Sequence, residues 1–553
     1  MTPRLTIPMV ILVLTAACAA PPPPTAPAAR TPIFDGLGSH TRTVTTASPD
    51  AQRYFDQGLA FLFAFNHDES IRSFTRATEL DPGCAMAWWG IATANGPHIN
   101  FPVVPEDRAK AAWEASEKAR AAAQAGAQNP ADAALIETLA ARFTRPQPED
   151  RTPLDEAYTA AMRDVAARFP GDADVGALFA EAMMDLRPWD LWTAAGEPQP
   201  GTEEILTTLE RVLARAPDHP LANHLYIHAV EASPRPERAM AAADRLRTLQ
   251  PGLGHMVHMP SHIDVRTGAW EKAIASNTAA IAADVAYRDR AEKQQGFYRV
   301  YMAHNRHMRA FAAMMIGRSA EAIEQIRAMV AEMPDRWKTE YAAIADGFLG
   351  MPFEVLMRFG RWDEILAAPE PSDIFPIARG LRLYARGVAY AAKGMTKEAR
   401  DEQARFVVHR AKVPEDAMFG NNATADLLAV AGHLLEGEIL YREGRSDDAI
   451  AAMRQAVERE DALRYDEPPD WIQPVRHALG ASLMQSGRFA EAEAVYREDL
   501  AIHPHTGWSL FGLARALEMQ KKPGAEEARA RFDAAWTSAD VRLSSSCLCQ
   551  PGV

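Results

Sequence analysis

Small and apolar residues recur along this chain in helical stripes, and prolines punctuate them. Ile205, Leu209 and Val212 run into Pro217; Ala239, Ala243 and Leu246 run into Pro251; Ala322, Ile326 and Met329 run into Pro334. Spacings of three and four place such residues on one face of a helix, and proline cannot continue a helix. The pattern predicts short amphipathic helices. Strand-forming runs are scarce and alanine is abundant, so an all-α chain is expected. Pro217 and Pro251 stand 34 positions apart. That period suits helical hairpins that cannot bury their apolar faces singly and must stack.

The clearest unit covers residues 51–82, where Tyr54, Gly58, Phe61, Ser70, Phe74, Ala77 and Pro82 follow one another. Small residues let two antiparallel helices close, aromatic rings fill the space between them, and proline stops the second helix. In these positions the chain resembles the tetratricopeptide-repeat family. Trp88 opens the next unit. Gly387, Tyr390 and Ala399, then Gly437, Leu440 and Ala449, then Gly480, Ala492, Tyr496 and Pro504 keep the same phase. Trp508, Phe511 and Gly512 begin a last unit. The resemblance covers residues 50–538 with gaps and implies a right-handed superhelical solenoid of hairpins. Residues 100–160 and 335–375 fit poorly, and the glycines and prolines of the second stretch mark a candidate break. The expected organisation is one solenoid half over 46–345, another over 346–540, and a flexible tail over 541–553. The acidic, proline-rich segment Tyr465 to Trp471 reads as a rigid loop between repeats.

Ahead of the repeats, Arg4 and the apolar run Ile7 to Leu14 form a segment too short to span a bilayer, which reads as a signal peptide over 1–17. Leu14-Thr15-Ala16-Ala17-Cys18 resembles a bacterial lipobox, whose cysteine takes a lipid, although Thr15 is unusual there. Ordinary cleavage near Cys18 is the alternative. Residues 18–45 are then a lipidated Cys18 with an Ala/Pro-rich tether. The expected location is exported and lipid-anchored, at the outer membrane facing the periplasm or at the cell surface. A formal net charge of −14 argues against nucleic acid as a partner. Cys84, Cys547 and Cys549 are an odd number after Cys18, so no disulfide framework is expected, and the last two read as tail cysteines.

The candidate chemistry lies in histidines that keep the repeat phase. His224 and His258 occupy one repeat position counted from Pro217 and Pro251, and His228 and His262 another. Residues four apart share a helix face. The family resemblance implies that these positions, with His304 and His307 in the following unit, face the concave groove. Neutral imidazole suits zinc and copper, and Met256, Met259 and Met302 nearby favour copper. His255, His258, His262, His224, His228, His304 and His307 are therefore candidate metal ligands, and His67, His98, Glu231 and Asp264 further groove candidates. Pro260 lies between His258 and His262, so the helix is expected to kink or to begin near Met259. Two functions remain open at this point. One is a scaffold holding a protein segment or small ligand in the groove, with a transition-metal contact. The other is a metal-dependent enzyme with a multi-histidine site. No P-loop, nucleophile elbow, zinc-protease or dinucleotide motif is present.

Overall fold

The computed structural model describes residues 31–291 and 296–550. The signal-peptide segment and the lipidation expectation at Cys18 lie outside them. The chain is an all-α succession of helical hairpins, from Pro49–Phe63 with His67–Leu80 to Gly507–Met519 with Ala525–Ala535. The only strands among the described residues are the two-residue pair Met418–Phe419 and Asn422–Ala423. No described helix is long and apolar enough to cross a membrane.

The repeat signature works through close approach. Phe74 is fully buried between two glycines. A Cβ at Gly58 would sit 2.7 Å from its ring, and one at Gly90 2.5 Å, so any larger residue would push the hairpins apart. Tyr496 is wedged in the same way between Gly480 and Gly512.

Two hydrophobic cores share the chain. One gathers residues from Phe34 to Met302, the other from Val265 to Cys549. They meet within 265–302, ahead of the break expected at 345–375. The helix Ala342–Arg358 crosses that expected boundary and packs on both its neighbours. The last repeat then returns to the middle of the chain. Trp508 Nε1 donates to the Met314 carbonyl at 2.9 Å, Trp270 Nε1 to the Pro504 carbonyl at 2.9 Å, and Thr506 Oγ1 to the Met315 carbonyl at 3.2 Å. The Arg358 guanidinium covers the Trp508 ring at 3.4 Å. The end of the solenoid thereby buries an apolar face that would otherwise meet water, and the concave side becomes a chamber.

Three expectations change. Residues 31–45 are strapped to the first repeats rather than tethering them: Phe34 packs edge-on to Phe61 at 5.2 Å, and Arg42 pairs with Asp132, Asp172 and Asp174 at 2.7, 3.0 and 2.9 Å. Of the tail expected over 541–553, the described residues up to Gln550 are held in place. Cys547 and Cys549 are buried and disulfide-bonded, Ser546 Oγ donates to the His477 carbonyl at 2.8 Å, and Gln550 Nε2 donates to Glu438 at 2.6 Å. The thioethers of Met256, Met259 and Met302 belong to the hydrophobic core, which removes the soft-ligand reason for preferring copper.

The loop Tyr465 to Trp471 is fixed across the chamber by polar contacts. Asn421 N donates to Asp466 at 3.0 Å, Asn422 Nδ2 to Asp470 at 2.8 Å, and Ile472 N to Glu354 at 3.2 Å. Burial pushes the Glu354 carboxyl up to about 8, against the pull of the backbone N–H groups of Ile472 and Gln473. A carboxyl raised in the folded state contributes stability present below its unfolded value of 4.5 and lost as pH rises towards 8. The loss runs at about 1.4 kcal/mol per pH unit within that window. Glu354→Gln is therefore expected to flatten the fall in melting temperature between pH 6 and pH 8. An identical pH slope in variant and parent would show that Glu354 is ionised in the fold.

Candidate metal centre

Three consecutive hairpins supply the site through their first helices. Pro220–Glu231 carries His224, His228 and Glu231; Gly254–His258 with Pro260–Arg266 carries His255, His258 and His262; Arg299–Met315 carries Tyr301, His304 and His307. Because such helices stack side by side, His228 comes to lie beside His262 and His224 beside His255, with ring centroids 5.6 and 4.8 Å apart. The Pro260 break falls where expected, with Pro260 opening the second segment. Met259 between the segments keeps right-handed helical angles, φ −48° and ψ −39°, so His262 stays in helical phase with His258.

The imidazoles form two sets of three, His224/His228/His255 and His258/His262/His304, with one nitrogen per ring all within 4.8 Å of each other in each set. All are buried except His304, which is partly exposed. Four of these rings are oriented by their Nδ1 atoms. Nδ1 of His224 lies 2.8 Å from the Phe63 carbonyl, and that of His258 lies 2.7 Å from Asn277 Oδ1. The Asn277 amide nitrogen is committed to the Ala273 carbonyl, so Oδ1 must accept. Nδ1 of His228 and of His262 reach the two oxygens of Glu231 at 2.7 and 2.5 Å. Acceptors on Nδ1 of His224, His228 and His258 put the ring proton there and leave Nε2 as a lone pair, while the Glu231 carboxylate beside His262 Nδ1 favours the protonated ring. The Nε2 atoms face one another or stand open. His258 Nε2 and His262 Nε2 are 2.8 Å apart, His224 Nε2 and His255 Nε2 are 3.1 Å apart, and His228 Nε2 has no protein partner.

The electrostatics follow from burial. It pulls His224, His255, His258 and His304 well below the ordinary histidine range, and the neighbouring imidazoles push the same way. Burial also acts on His262, but the Glu231 carboxylate outweighs it and holds that ring above its usual value. Burial would raise Glu231, yet His262 and His228 hold it at about 2. The site thus contains one fixed negative charge between its two halves.

Other elements complete the walls. Phe65 adopts φ 55°, a left-handed conformation disfavoured for a bulky residue, and its ring lies 4.6 Å from those of His98 and His224. Trp189, with φ 57°, stands 5.3 Å from His228. Above the imidazoles lies a chamber of about 690 Å³, lined by His228, His255, His262, His304, His307 and Tyr301 on one side and by Asp466, Glu467 and Asp470 on the other.

The remaining sequence candidates divide. His67 and His98 pair with each other, ring centroids 4.4 Å apart, beside Phe65 but outside both sets. His307 lines the chamber 5.9 Å from Phe348 and also joins neither set. Asp264 is not in the site: it is bound by Arg247 at 2.6 Å. A third group, His40, Asp174 and His219, is a structural hub. His219 Nδ1 accepts from Ala222 N at the start of a helix, so its Nε2–H is spent on Asp174 at 3.0 Å. Sequence reading missed Asn277, whose Oδ1 orients His258 from the second helix of its hairpin. It also missed Glu467 as a chamber wall, although the acidic loop that carries it stood out.

No family model matches the sequence, and no curated protein does. Among solved structures the chain is similar to the human IFIT1 dimer with m7Gppp-AAAA, at 12% identity, covering 90% of this chain and 92% of that one, with a TM-score of 0.34. It is also similar to a chain of the APC/C hetero-tetramer Cut9-Hcn1, at 14% identity, covering 84% and 76%, with a TM-score of 0.31. The helical-repeat fold is evident in the stacked hairpins themselves, and these likenesses add nothing to the histidine site.

Proposed function

We propose that this protein is an exported, lipid-anchored helical-repeat scaffold that binds two transition-metal ions side by side in its chamber, one on His224, His228 and His255 and the other on His258, His262 and His304. The facing Nε2 atoms of His258 and His262 carry this reading. Nε2 atoms 2.8 Å apart need a cation between them, either the proton that Glu231 favours on His262 or a metal ion that displaces it. Two nitrogens on one tetrahedral zinc, each at 2.0–2.1 Å, stand about 3.3 Å apart, so a small outward movement accommodates the ion. Histidines whose second nitrogen is held by carboxylate, amide or carbonyl are the usual form of metal-ligating imidazole. An all-nitrogen set suits zinc or copper(II). The lipid anchor rests on Cys18 and its flanking sequence alone.

The chamber over the two sets favours metal-dependent catalysis as a second reading, since simple metal storage needs no ligand-sized space beside the ion. For either reading the first test is uptake. Chelator-stripped protein lacking the lipid anchor, titrated with zinc or copper(II), is expected to bind one equivalent per histidine set and to melt at a higher temperature. Absence of stoichiometric uptake with no shift in melting rejects the centre.

A further inference from the structure

The wall opposite the imidazoles has a chemistry of its own. Among the described residues lining the chamber are five carboxyl groups and no lysine or arginine. All five, Asp346, Asp416, Asp466, Glu467 and Asp470, belong to the second half of the solenoid and its loops. Asp466 and Asp470 are engaged by Asn421 N and Asn422 Nδ2, and Asp346 accepts from the backbone of Ile377 and Ala378. Glu467 differs. It is 4% exposed, its Oε2 takes one bond from the Tyr465 hydroxyl at 3.2 Å, and its Oε1 has no protein partner. An unpaired buried oxygen facing a chamber is costly unless a ligand meets it.

The flanks are apolar. Phe297, Phe348 and Phe419 line the chamber, and Ile374 and Met418 are 49% and 45% exposed at its edge. Apolar flanks beside an unsatisfied carboxyl oxygen suit an organic ligand with a donor group. A hard metal ion fits less well there, because the neighbouring carboxylates are already spent on N–H donors and a hard divalent cation needs about six oxygen ligands. The surplus of carboxyl groups over cationic side chains repels anions and favours positive charge.

We infer that the chamber binds a small organic amine, with its ammonium on Glu467 Oε1 and its apolar body against the Phe297, Phe348 and Phe419 rings, beside the imidazoles. This deepens the metal-centre reading by naming the ligand class of the same chamber. It depends on that reading only for what happens to the ligand afterwards, not for its binding. Arg266 and His262 act on Glu467 only through space; an ammonium at Oε1 adds the direct charged contact that this oxygen lacks, whereas a neutral hydroxyl offers a hydrogen bond and no charge.

Calorimetry on the metal-free full chain tests this, with phenethylamine, phenethyl alcohol and hydrocinnamate as probes of one shape and different charge. The amine is expected to bind at least about tenfold more tightly than the alcohol, the difference a charge-assisted hydrogen bond supplies. Hydrocinnamate is expected not to bind. Glu467→Gln, with unchanged circular dichroism, is expected to erase the gap between amine and alcohol while zinc uptake persists. Equal binding of amine and alcohol by the parent overturns the inference, as does absence of amine binding, or an unchanged gap in the variant. Loss of zinc uptake in Glu467→Gln overturns it as well, by making Glu467 a metal ligand. Because amine binding is read without metal, a protein that binds amine but no zinc rejects the metal centre alone, and one that binds zinc but no amine rejects the ligand alone.

Discussion

Replacing His224 and His262 together by alanine is expected to leave the far-ultraviolet circular dichroism unchanged and to abolish tight transition-metal binding. The two residues belong to different sets, so one ligand is lost from each centre. In each remaining pair one ring, His228 or His258, keeps its Nδ1 contact, but two imidazoles can no longer close a three-nitrogen site. Losing a residue that only orients a ligand costs about 10–100-fold in metal affinity, and losing a ligand costs more. The helices survive because neither ring is part of the aliphatic packing between hairpins: the flanking positions Leu225, Ile227 and Ile263 belong to the hydrophobic core, whereas the imidazoles face one another. Metal titration followed by calorimetry distinguishes the outcomes. Uptake at the parent affinity would remove both residues from the centre, and a collapse of the helical signal would make them core residues.

A single substitution beneath the site is expected to have the second-largest effect. Glu231→Gln should reduce the tight sites from two to one, because Glu231 holds a histidine of each set. A carboxylate accepts from both Nδ1–H groups at once. An amide has one accepting oxygen and, in place of the other, a donating NH2. One histidine keeps its proton on Nδ1 and its lone pair in the site. The other faces a donor, and its ring proton must move to Nε2, where it occupies the lone pair a metal requires. The expected loss at that centre is about 10–100-fold, with the other centre near the parent value. Equal weakening of both centres would show that the fixed negative charge of Glu231 matters more than its geometry. No weakening at either would sink the assignment of the Nδ1 protons on which the centre is built.

Both substitutions act on features of different legibility. The i,i+4 pairs His224/His228 and His258/His262 were visible as a helical phase locked to a repeat phase; the structure keeps His228 beside His262, ring centroids 5.6 Å apart, but sets His255 rather than His258 against His224. Glu231 was visible as a nearby carboxylate, but its bridging of His228 and His262 joins two hairpins and has no signature along the chain. Asp264 was equally close in sequence and turned out to face Arg247, because one step around a helix moves a side chain by about 100°. His307 shares a helix with His304 yet joins neither set for a similar reason.

Local periodicity by itself determined the helices, the hairpin repeat and the face on which the paired histidines lie, because those depend on spacings of three, four and about thirty-four residues. Only the tertiary structure decided where the solenoid turns back on itself, since docking of Trp508 and Trp270 joins positions far apart in the chain. That return sets the acidic loop with Glu467 across from the imidazoles and turns an open groove into a chamber. Contacts of such long sequence separation leave no periodic trace; they are selected by the burial of apolar ends that the repeats, taken one by one, would leave in water.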